Sequence, residues 1–199
     1  MTGKGNLIIL SGPSGSGKST VVFRAIEERS DICFSTSVTT RSPRAGEVHG
    51  REYFFIDQKR FDEMVANDEL LEHATYVNHS YGTPRNYVEE QLKNGMNVIL
   101  DIEIQGARQV HEKMPEAITI FIMPPSMEEL RRRLESRGTD TQETIEARIA
   151  RARHEIQEAD FYDYLIVNDN LDLAAKEFSA ILTAAQCRFD KELAAKLVK

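Results

Sequence analysis

A glycine-rich segment near the start of the chain constrains the fold more than any other feature. Residues 12–19 read GPSGSGKS, which matches G-x-x-x-x-G-K-S, and they lie between an apolar run and a predicted helix. In this context glycines let backbone N–H groups converge on phosphate oxygens, Lys18 reaches the β- and γ-phosphates, and the Ser19 hydroxyl ligates Mg²⁺. A Gly/Ser turn with an incidental lysine is the alternative. The predicted ATP-binding residues of this loop are Gly12, Pro13, Ser14, Gly15, Ser16, Gly17, Lys18, Ser19 and Thr20.

Short apolar runs predict the strands of a parallel sheet. Each is mostly aliphatic and bounded by Gly, Pro, Asn or Asp, as is typical of strands buried on both faces. The runs span residues 7–10, 98–100, 118–122 and 164–167. The predicted helices span residues 19–28, 105–114, 127–137, 144–159 and 173–197. Strands alternating with helices predict an α/β fold of the P-loop NTPase type, a parallel sheet flanked by helices.

Two segments interrupt this alternation. Short aromatic strands at 51–56 and 70–76, with helices at 57–67 and 83–93, predict a small mixed α/β insertion. An arginine-rich stretch at 131–153 predicts a helical lid. We expect one domain over residues 1–199, with an insertion and a lid in a discontinuous core. The core is 1–33, 96–125 and 160–199, the insertion about 34–95 and the lid about 126–159.

Composition limits the kinds of partner. The chain has 25 Lys and Arg against 32 Asp and Glu, a formal charge of -7, which argues against a nucleic-acid coating protein. Its two cysteines lie far apart and have no partners at metal-ligand spacing. No apolar run approaches the roughly 20 residues that span a bilayer, and no signal-peptide pattern is present. We therefore expect a soluble cytoplasmic protein without a nucleic-acid or membrane partner.

A basic loop in the insertion offers a second anionic site. Residues 37–53 read SVTTRSPRAGEVHGREY, so Arg41 and Arg44 lie on either side of a proline, and Tyr53 adds a hydroxyl donor. Two guanidinium groups in one stiffened loop suit a dianionic phosphate. A solvated loop whose arginines pair with acidic neighbours such as Glu47 is the alternative.

This loop closely resembles the nucleoside-monophosphate site of guanylate kinases, whose pattern is S-x-x-T-R-x-P-R-x-G-E-x-x-G-x-x-Y. Every fixed position is present, and the resemblance extends from residue 7 to about residue 169. Further matches are LEHA at 71–74, YGT at 81–83, LDIExQG at 100–106, PPS at 124–126, RRLxxRG at 132–138 and IVND at 166–169. The resemblance implies Mg²⁺-dependent transfer of a phosphoryl group from ATP to GMP, and to dGMP.

The resemblance also implies which residues bind GMP. Arg41, Arg44, Tyr53 and Tyr81 would hold its phosphate, and Ser37, Glu72, Thr83 and Glu103 would contact the guanine edge. A carboxylate can accept from both the N1–H and the N2–H₂ of guanine, whereas adenine presents an acceptor at N1. Many members of the family carry Asp where this chain has the longer Glu103. The sequence therefore allows Glu103 to contact the base directly, to contact it through water, or to make no contact with it.

Asp101 and the lid complete the predicted site. Asp101 ends a strand at the ligand-binding edge of the sheet, where it would line the GMP site and hold Mg²⁺ with Ser19, or else cap the next helix. Asn168 would contact adenine, or else form a turn. Ordinary charged helical faces account for Arg131, Arg151 and Arg153. The predicted catalytic cations are Lys18, Arg41, Arg44, Arg133, Arg137 and Arg148.

Other functions remain to be separated from this one. A guanylate kinase-like module that grips a phosphorylated peptide keeps the fold without catalysis, although it has no need of a complete ATP site. A kinase of another nucleotide is disfavoured by Glu72 with Ser37. The amphipathic pattern at 173–197 suits either a helix that covers the sheet or a surface for a homo-oligomer.

Overall fold

The computed structural model describes residues 4–27, 29–76, 78–136, 138, 140–189, 194–195 and 198. The strands are β1 (Leu7–Ser11), β2 (Ile32–Phe34), β3 (Val38–Thr39), β4 (Phe54–Phe55), β5 (Leu70–Tyr76), β6 (His79–Pro84), β7 (Asn97–Asp101), β8 (Ile118–Met123) and β9 (Tyr164–Val167). The helices are α1 (Lys18–Ile26), α2 (Gln58–Ala66), α3 (Arg85–Lys93), α4 (Ile104–Lys113), α5 (Met127–Glu135), α6 (Gln142–Gln157) and α7 (Leu171–Gln186).

The main sheet is parallel and has the strand order β2-β7-β1-β8-β9. Central strand β1 is buried along its whole length, and separate apolar clusters cover the two faces of the sheet. This confirms the predicted parallel sheet flanked by helices. The strand β2 has only three half-buried residues and was not predicted. The prediction that every strand is buried on both faces is wrong for β9, where Leu165 is 60% exposed. Among the described strands, β9 pairs only with β8 and therefore lies at the edge of the sheet.

A second sheet of four short strands, in the order β4-β3-β6-β5, lies within the predicted insertion. Its strands are mixed in direction, with β3 parallel to β4 and antiparallel to β6. The strand predicted at 51–56 is reduced to Phe54–Phe55. The helix predicted from residue 83 begins at Arg85, because Thr83 and Pro84 complete β6. The domain boundaries themselves stay a prediction.

The lid segment consists of α5 and α6, which pack on each other through an apolar cluster of their own that includes Leu130, Leu134 and Ile149. Side chains cap both helices: Ser126 Oγ accepts from the Glu129 backbone N–H, and Thr141 Oγ1 accepts from the Thr144 N–H. The helix predicted at 127–137 ends at Glu135, and Arg137 lies outside the described residues.

The last helix, α7, packs beside α1 on the main sheet, and Phe178 and Leu182 are buried in the core there. It ends at Gln186 and is capped by Cys187, so it is not continuous with the rest of the helix predicted to reach residue 197, most of which lies outside the described residues. Its apolar face covers the sheet, and self-association stays a prediction. None of the helices in the described part of the chain combines the length and apolarity that crossing a membrane requires.

Candidate active site

The phosphate loop is a sequence of glycine-dependent turns between β1 and α1. Gly12, Gly15 and Gly17 have φ values of 147°, 98° and 88°, in the region that side chains with a Cβ disfavour. A Cβ on Gly12 would lie 2.0 Å from the carbonyl oxygen of Ile122, and one on Gly17 would lie 2.4 Å from Asn168 Nδ2. Both conformation and close approach therefore require glycine at these positions.

The side chains of the loop divide into exposed and buried groups. Ser14, Ser19 and Thr20 are exposed, whereas Pro13 and Ser16 are buried. Within the described residues, the buried hydroxyl of Ser16 has no hydrogen-bond partner. The exposed hydroxyls of Ser19 and Thr20 lie in the first turn of α1, where the helix N-terminus favours anions.

Two cations bind carbonyl oxygens of the phosphate loop itself. Lys18 Nζ donates to the Gly12 carbonyl at 2.7 Å, which holds the ammonium group across the loop. Arg133 donates from Nη1 to the Ser16 carbonyl at 3.2 Å and from Nη2 to the Asn168 carbonyl at 2.8 Å. Asn168 Nδ2 donates to the same Ser16 carbonyl at 2.8 Å. The Ser16 carbonyl therefore connects the phosphate loop both to the lid and to the residue that follows β9.

The lid arginines reach the loop from both lid helices. On α5, Glu129 holds Arg133, with Nε of the arginine 2.7 Å from Oε1. Bonds to Arg132 and then Arg133 lower the pKa of the Glu129 carboxyl to about 2. On α6, Arg148 donates to Ser14 Oγ at 2.9 Å and to Asp140 at 3.4 Å. The structure therefore brings Arg133 and Arg148 together at the phosphate loop, as the sequence predicts for the lid.

Two neighbouring cavities share one wall. The first, of about 360 Å³, adjoins the phosphate loop and contains Lys18 and Arg148. The second, of about 390 Å³, lies between the main sheet and the small sheet. Both are lined by residues 101–103. The sequence-predicted residues that line the second cavity are Ser37, Arg41, Arg44, Tyr53, Glu72, Tyr81, Asp101 and Glu103.

Arg41 occupies the second cavity together with an acidic partner. Its guanidinium donates to both carboxylate oxygens of Glu47, at 2.9 and 2.8 Å, and lies 5.5 Å from the centroid of the Tyr53 ring. The Arg41 guanidinium, with the Arg44 backbone N–H, lowers the pKa of the Glu47 carboxyl. Burial and the neighbouring Tyr81 raise the pKa of Tyr53. The ion pair that the sequence left as an alternative is thus present, and it lines the cavity.

Arg44 differs from Arg41 in that its guanidinium forms no ion pair with Glu47 and affects that carboxylate only through its charge. Its backbone N–H donates to Glu47 Oε2 at 2.7 Å. Among the described residues, its guanidinium forms neither a hydrogen bond nor a salt bridge, although it lines the second cavity. One arginine of this loop is therefore neutralised, and the other remains available to an anion.

Glu72 is a buried carboxylate on the floor of the second cavity. It is 6% exposed, and Oε1 accepts from Thr83 Oγ1 at 2.7 Å. Burial raises its pKa, the Thr83 bond opposes this effect, and the charge of Glu103 adds to it. Thr83 is fully buried and is absent from the lining of the second cavity, but it lines a smaller adjoining cavity of about 220 Å³ that shares Ser37, Tyr53, Asp101 and Ile102 with it.

Gly106 lines the second cavity, although the sequence predicted no role for it beyond its place in the LDIExQG match. A Cβ at this position would lie 2.7 Å from Glu72 Oε2, so a side chain on α4 would displace the carboxylate. The signal was a glycine within a predicted helix, where it costs about 1 kcal/mol relative to Ala and therefore needs a packing reason.

Asp101 and Glu103 form the wall between the cavities. Although Asp101 itself is exposed at the end of β7, partial desolvation in the cleft raises the pKa of its carboxyl, and the nearby Lys18 opposes this shift. The helix-capping alternative for Asp101 is wrong, because α4 begins at Ile104 and its N-cap position is Glu103. Glu103 makes no side-chain cap bond and instead forms a 2.6 Å salt bridge with Arg151.

Arg151 is the main site residue that the sequence reasoning passed over. The prediction of an ordinary charged helical face holds for Arg131, which pairs with Glu146 on the neighbouring lid helix. It is incomplete for Arg151, which forms an internal pair with Glu155 but also lines the first cavity and contacts Glu103. No local pattern distinguishes these two arginines, because the partners Glu103 of Arg151 and Glu146 of Arg131 are far away in sequence.

Comparisons with known proteins agree on one family. A family model described as guanylate kinase matches residues 4–185. The guanylate kinase of Syntrophomonas wolfei is 49% identical over 188 residues, 94% of this chain and 96% of that protein. The guanylate kinase of Oceanobacillus iheyensis is 48% identical over 188 residues, with 94% and 91% covered. A crystal structure of guanylate kinase from Anaplasma phagocytophilum matches with a TM-score of 0.71 and 39% identity, over 92% of this chain and 87% of that chain. With its phosphate loop, its parallel sheet and its second cavity, this chain belongs to the guanylate kinase family.

Proposed function

We propose that the protein transfers the γ-phosphoryl group of ATP to GMP, and to dGMP, and releases ADP and GDP or dGDP. The observation that carries this proposal is the shared wall of the two cavities. One cavity contains the phosphate loop, and the other contains a buried carboxylate beside guanidinium groups. A donor triphosphate and an acceptor monophosphate bound on either side of this wall would meet at Asp101.

The second cavity suits the phosphate of GMP. Arg44 offers a guanidinium that forms no ion pair with Glu47, and Tyr53 and Tyr81 offer hydroxyl donors. The Arg41 guanidinium would bind the phosphate in place of Glu47, or would donate to both at once, because a phosphate dianion is a stronger acceptor than a carboxylate. The Arg41–Glu47 pair keeps the guanidinium in place before the nucleotide arrives.

Glu72 suits the Watson–Crick edge of guanine. Thr83 occupies one lone pair of Oε1, which leaves both oxygens with free acceptor capacity toward the cavity. Guanine presents two adjacent donors there, whereas adenine would leave a buried carboxylate facing an acceptor, at a cost of about 1–3 kcal/mol. Ser37 and Glu103 line the same cavity and would complete the contact with the base.

The phosphate loop and the lid suit the ATP triphosphate. Lys18 would exchange the Gly12 carbonyl for phosphate oxygens, and Arg133 and Arg148 would close on the triphosphate from the lid. Arg137 has a proposed role in the same lid, by the resemblance alone. The amide nitrogen of Asn168 is already bonded to the Ser16 carbonyl, so we assign it first to supporting the loop, and its contact with adenine stays a prediction.

The available donors fit Mg²⁺. Ser19 offers an exposed hydroxyl oxygen and Asp101 a carboxylate near Lys18, and small hard cations prefer oxygen ligands. In the described segments, no group of three or more His, Cys, Asp or Glu residues could enclose a metal ion. This agrees with a cation held by few protein ligands together with substrate phosphates. Ser19 and Asp101 would hold the ion, which would reduce the negative charge that the phosphates present.

The reaction itself requires positioning and positive charge rather than a general base. An oxygen of the GMP phosphate, already anionic near neutral pH, forms a bond to the γ-phosphorus while the bond to the bridging oxygen of ADP breaks. Lys18 and the lid arginines would stabilise charge on the transferred group, and the two cavities would hold donor and acceptor in line. Lid closure would exclude water from this step.

A panel of acceptors tests the proposal. Purified protein with ATP and Mg²⁺ is offered GMP, dGMP, AMP, CMP, UMP and dTMP in an assay that couples ADP release to NADH oxidation. Rapid turnover restricted to GMP and dGMP is expected. Turnover of another nucleotide in preference to GMP would refute the assignment of the base site. Binding of a phosphopeptide without turnover would favour the binding-module alternative. The cytoplasmic location and the lack of nucleic-acid or membrane partners stay predictions.

A further inference from the structure

We infer that Arg151 is a positioning residue that sets the preference of this chain for guanine by holding Glu103 in place. The inference rests on the proposed function, because it concerns the base site of the acceptor nucleotide. Arg151 lies on lid helix α6, and Glu103 lies on the wall between the two cavities. A contact between them therefore joins the lid directly to the acceptor site.

The contacts of Arg151 are to carboxylates on two sides. Its Nη2 lies 2.6 Å from Glu103 Oε2, and its Nε donates to Glu155 Oε1 at 2.9 Å. Glu155, one turn further along α6, holds the base of the guanidinium, so the far end is directed at Glu103. The arginine is thus oriented by its own helix toward one carboxylate across the cavity.

Arg148, on the same helix and lining the same cavity, has different surroundings. It donates to the neutral hydroxyl of Ser14 in the phosphate loop, and its carboxylate contact, with Asp140, is longer at 3.4 Å. Arg148 therefore retains most of its charge for a phosphate at the loop. Arg151 is already shared by two closer carboxylates, which makes it a poor phosphate ligand and a good anchor for Glu103.

Glu103 needs such an anchor. Its side chain is about half exposed, makes no bond to the N-terminus of α4, and has one more rotatable bond than Asp would have. In the described residues, its only hydrogen-bonding or ionic partner is Arg151. Oε2 is held there, Oε1 has no partner among the described residues, and Glu103 lines the second cavity, where its charge raises the pKa of the Glu72 carboxyl.

The chemistry of guanine explains what Oε1 would accept. The 2-amino group has two hydrogens, of which one lies beside N1–H and would be accepted by Glu72. The second points away from N1 and requires another acceptor, and Glu103 lines the same cavity. Hypoxanthine has no 2-amino group, so IMP would gain nothing from a positioned Glu103. The contribution of Arg151 is therefore expected in the ratio of GMP to IMP turnover.

The test compares four variants with the wild-type protein. Arg151→Met removes the anchor, Arg151→Lys keeps the charge, Glu103→Gln weakens the acceptor, and the double variant Arg151→Met/Glu103→Gln measures their coupling. Arg153→Met is the matched control, because Arg153 is exposed on the same helix and has no salt bridge within the described residues. The measurements are kcat and KM for GMP, for IMP and for ATP, together with the melting temperature.

We expect Arg151→Met to lower kcat/KM for GMP about tenfold, as loss of one hydrogen bond to the substrate does, while kcat/KM for IMP changes less than about twofold. KM for ATP should not move. Arg151→Lys should restore part of the wild-type ratio of kcat/KM for GMP to kcat/KM for IMP. The double variant should lose no more kcat/KM for GMP than either single variant does. Both side chains of the pair are about half exposed, so the melting temperature should stay close to that of the wild type.

Other results would overturn the inference. An equal loss of kcat/KM for GMP and IMP would assign Arg151 to the phosphates, and unchanged kcat/KM values for both nucleotides would make the pair a surface contact only. Additive losses in the double variant would show that the two residues act separately. A wild-type protein that leaves GMP unphosphorylated would overturn the proposed function together with this inference, whereas an active wild type with an unchanged ratio in the variant overturns the inference alone.

Discussion

Replacing Glu72 by Gln removes the charge of the carboxylate on the floor of the acceptor cavity and keeps its size. The carboxylate is 6% exposed, accepts one bond from Thr83 at 2.7 Å and is enclosed on the side of Gly106. The amide of Gln can still bond to the Thr83 hydroxyl, because a hydroxyl both donates and accepts. The fold around the substituted residue should therefore persist.

The expected loss follows from counting acceptors. The carboxylate presents two acceptor oxygens to the two adjacent donors of guanine, whereas the amide presents one oxygen and one NH₂ donor. One guanine donor then faces another donor in a desolvated site, which costs about 1–3 kcal/mol. This corresponds to a fall of roughly 5- to 150-fold in kcat/KM for GMP. KM for ATP should not change, because Glu72 does not line the cavity at the phosphate loop.

Steady-state kinetics with ADP release as the readout would measure this effect at saturating ATP. Glu69→Gln is the control, since Glu69 pairs with Arg60 on the surface and lines neither cavity. AMP turnover provides a second readout, because the amide of Gln can donate to adenine N1. The variant should therefore prefer GMP over AMP by a smaller factor than the wild type does. A kcat/KM for GMP within about twofold of the wild-type value would refute the assignment of Glu72 to the base, given the cost of an unpaired buried donor.

Thermal stability should change in the opposite direction. Burial raises the pKa of Glu72 in the folded protein above its ordinary value of 4.5. The stability contributed by such a group is fully present below the unfolded pKa and is lost as the pH rises through the folded pKa. At neutral pH the ionised carboxylate therefore destabilises the fold, and Glu72→Gln should melt at a higher temperature than the wild type. The difference in melting temperature between the variant and the wild type should disappear as the pH falls toward 4.5. A difference that grows as the pH falls would contradict the reasoning.

Two further substitutions probe the phosphate loop and the acceptor arginine. Gly17→Ala places a Cβ 2.4 Å from Asn168 Nδ2 at a φ of 88°, so the melting temperature should fall and KM for ATP should rise more than KM for GMP. Gly46 has a similar φ of 87°, but a Cβ there would meet open space, so Gly46→Ala measures the effect of backbone strain alone. If both substitutions had equal effects, a clash between the Cβ of residue 17 and Asn168 would be ruled out. Arg41→Met should lower kcat/KM for GMP about hundredfold, because it removes a cation from the phosphate site. Arg51→Met is its exposed control, and near-normal GMP turnover by the Arg41 variant would contradict the acceptor assignment.

Local sequence signals were sufficient for the framework of the site. The phosphate loop could be predicted because its glycines adopt backbone conformations that other residues disfavour, and the structure has positive φ values at Gly12, Gly15 and Gly17. The main parallel sheet could be predicted because buried strands require continuous apolar runs. The same reasoning failed for β9, since an apolar run does not reveal that its strand will lie at the edge of the sheet.

Side-chain partners could not be predicted in the same way. The chain has 25 cationic Lys and Arg residues and 32 acidic residues, so sequence alone permits many pairings for each arginine. The Arg41–Glu47 pair was open as an alternative because its members are close in the chain. The Arg151–Glu103 pair was not predicted, because nothing in the local pattern around Arg151 differs from that around Arg131.

By itself the sequence determined the elements whose cause is local: turns that need glycine, strands that need apolar runs and the order of motifs that identifies the family. Only the tertiary structure decided that Thr83 donates a hydrogen bond to Glu72, that Gly106 makes room for that carboxylate, and that Arg151 reaches Glu103. The physical reason is distance. Backbone conformation and hydrophobic periodicity act over a few residues, whereas an ion pair or a close contact depends on which distant side chains folding brings within about 3 Å.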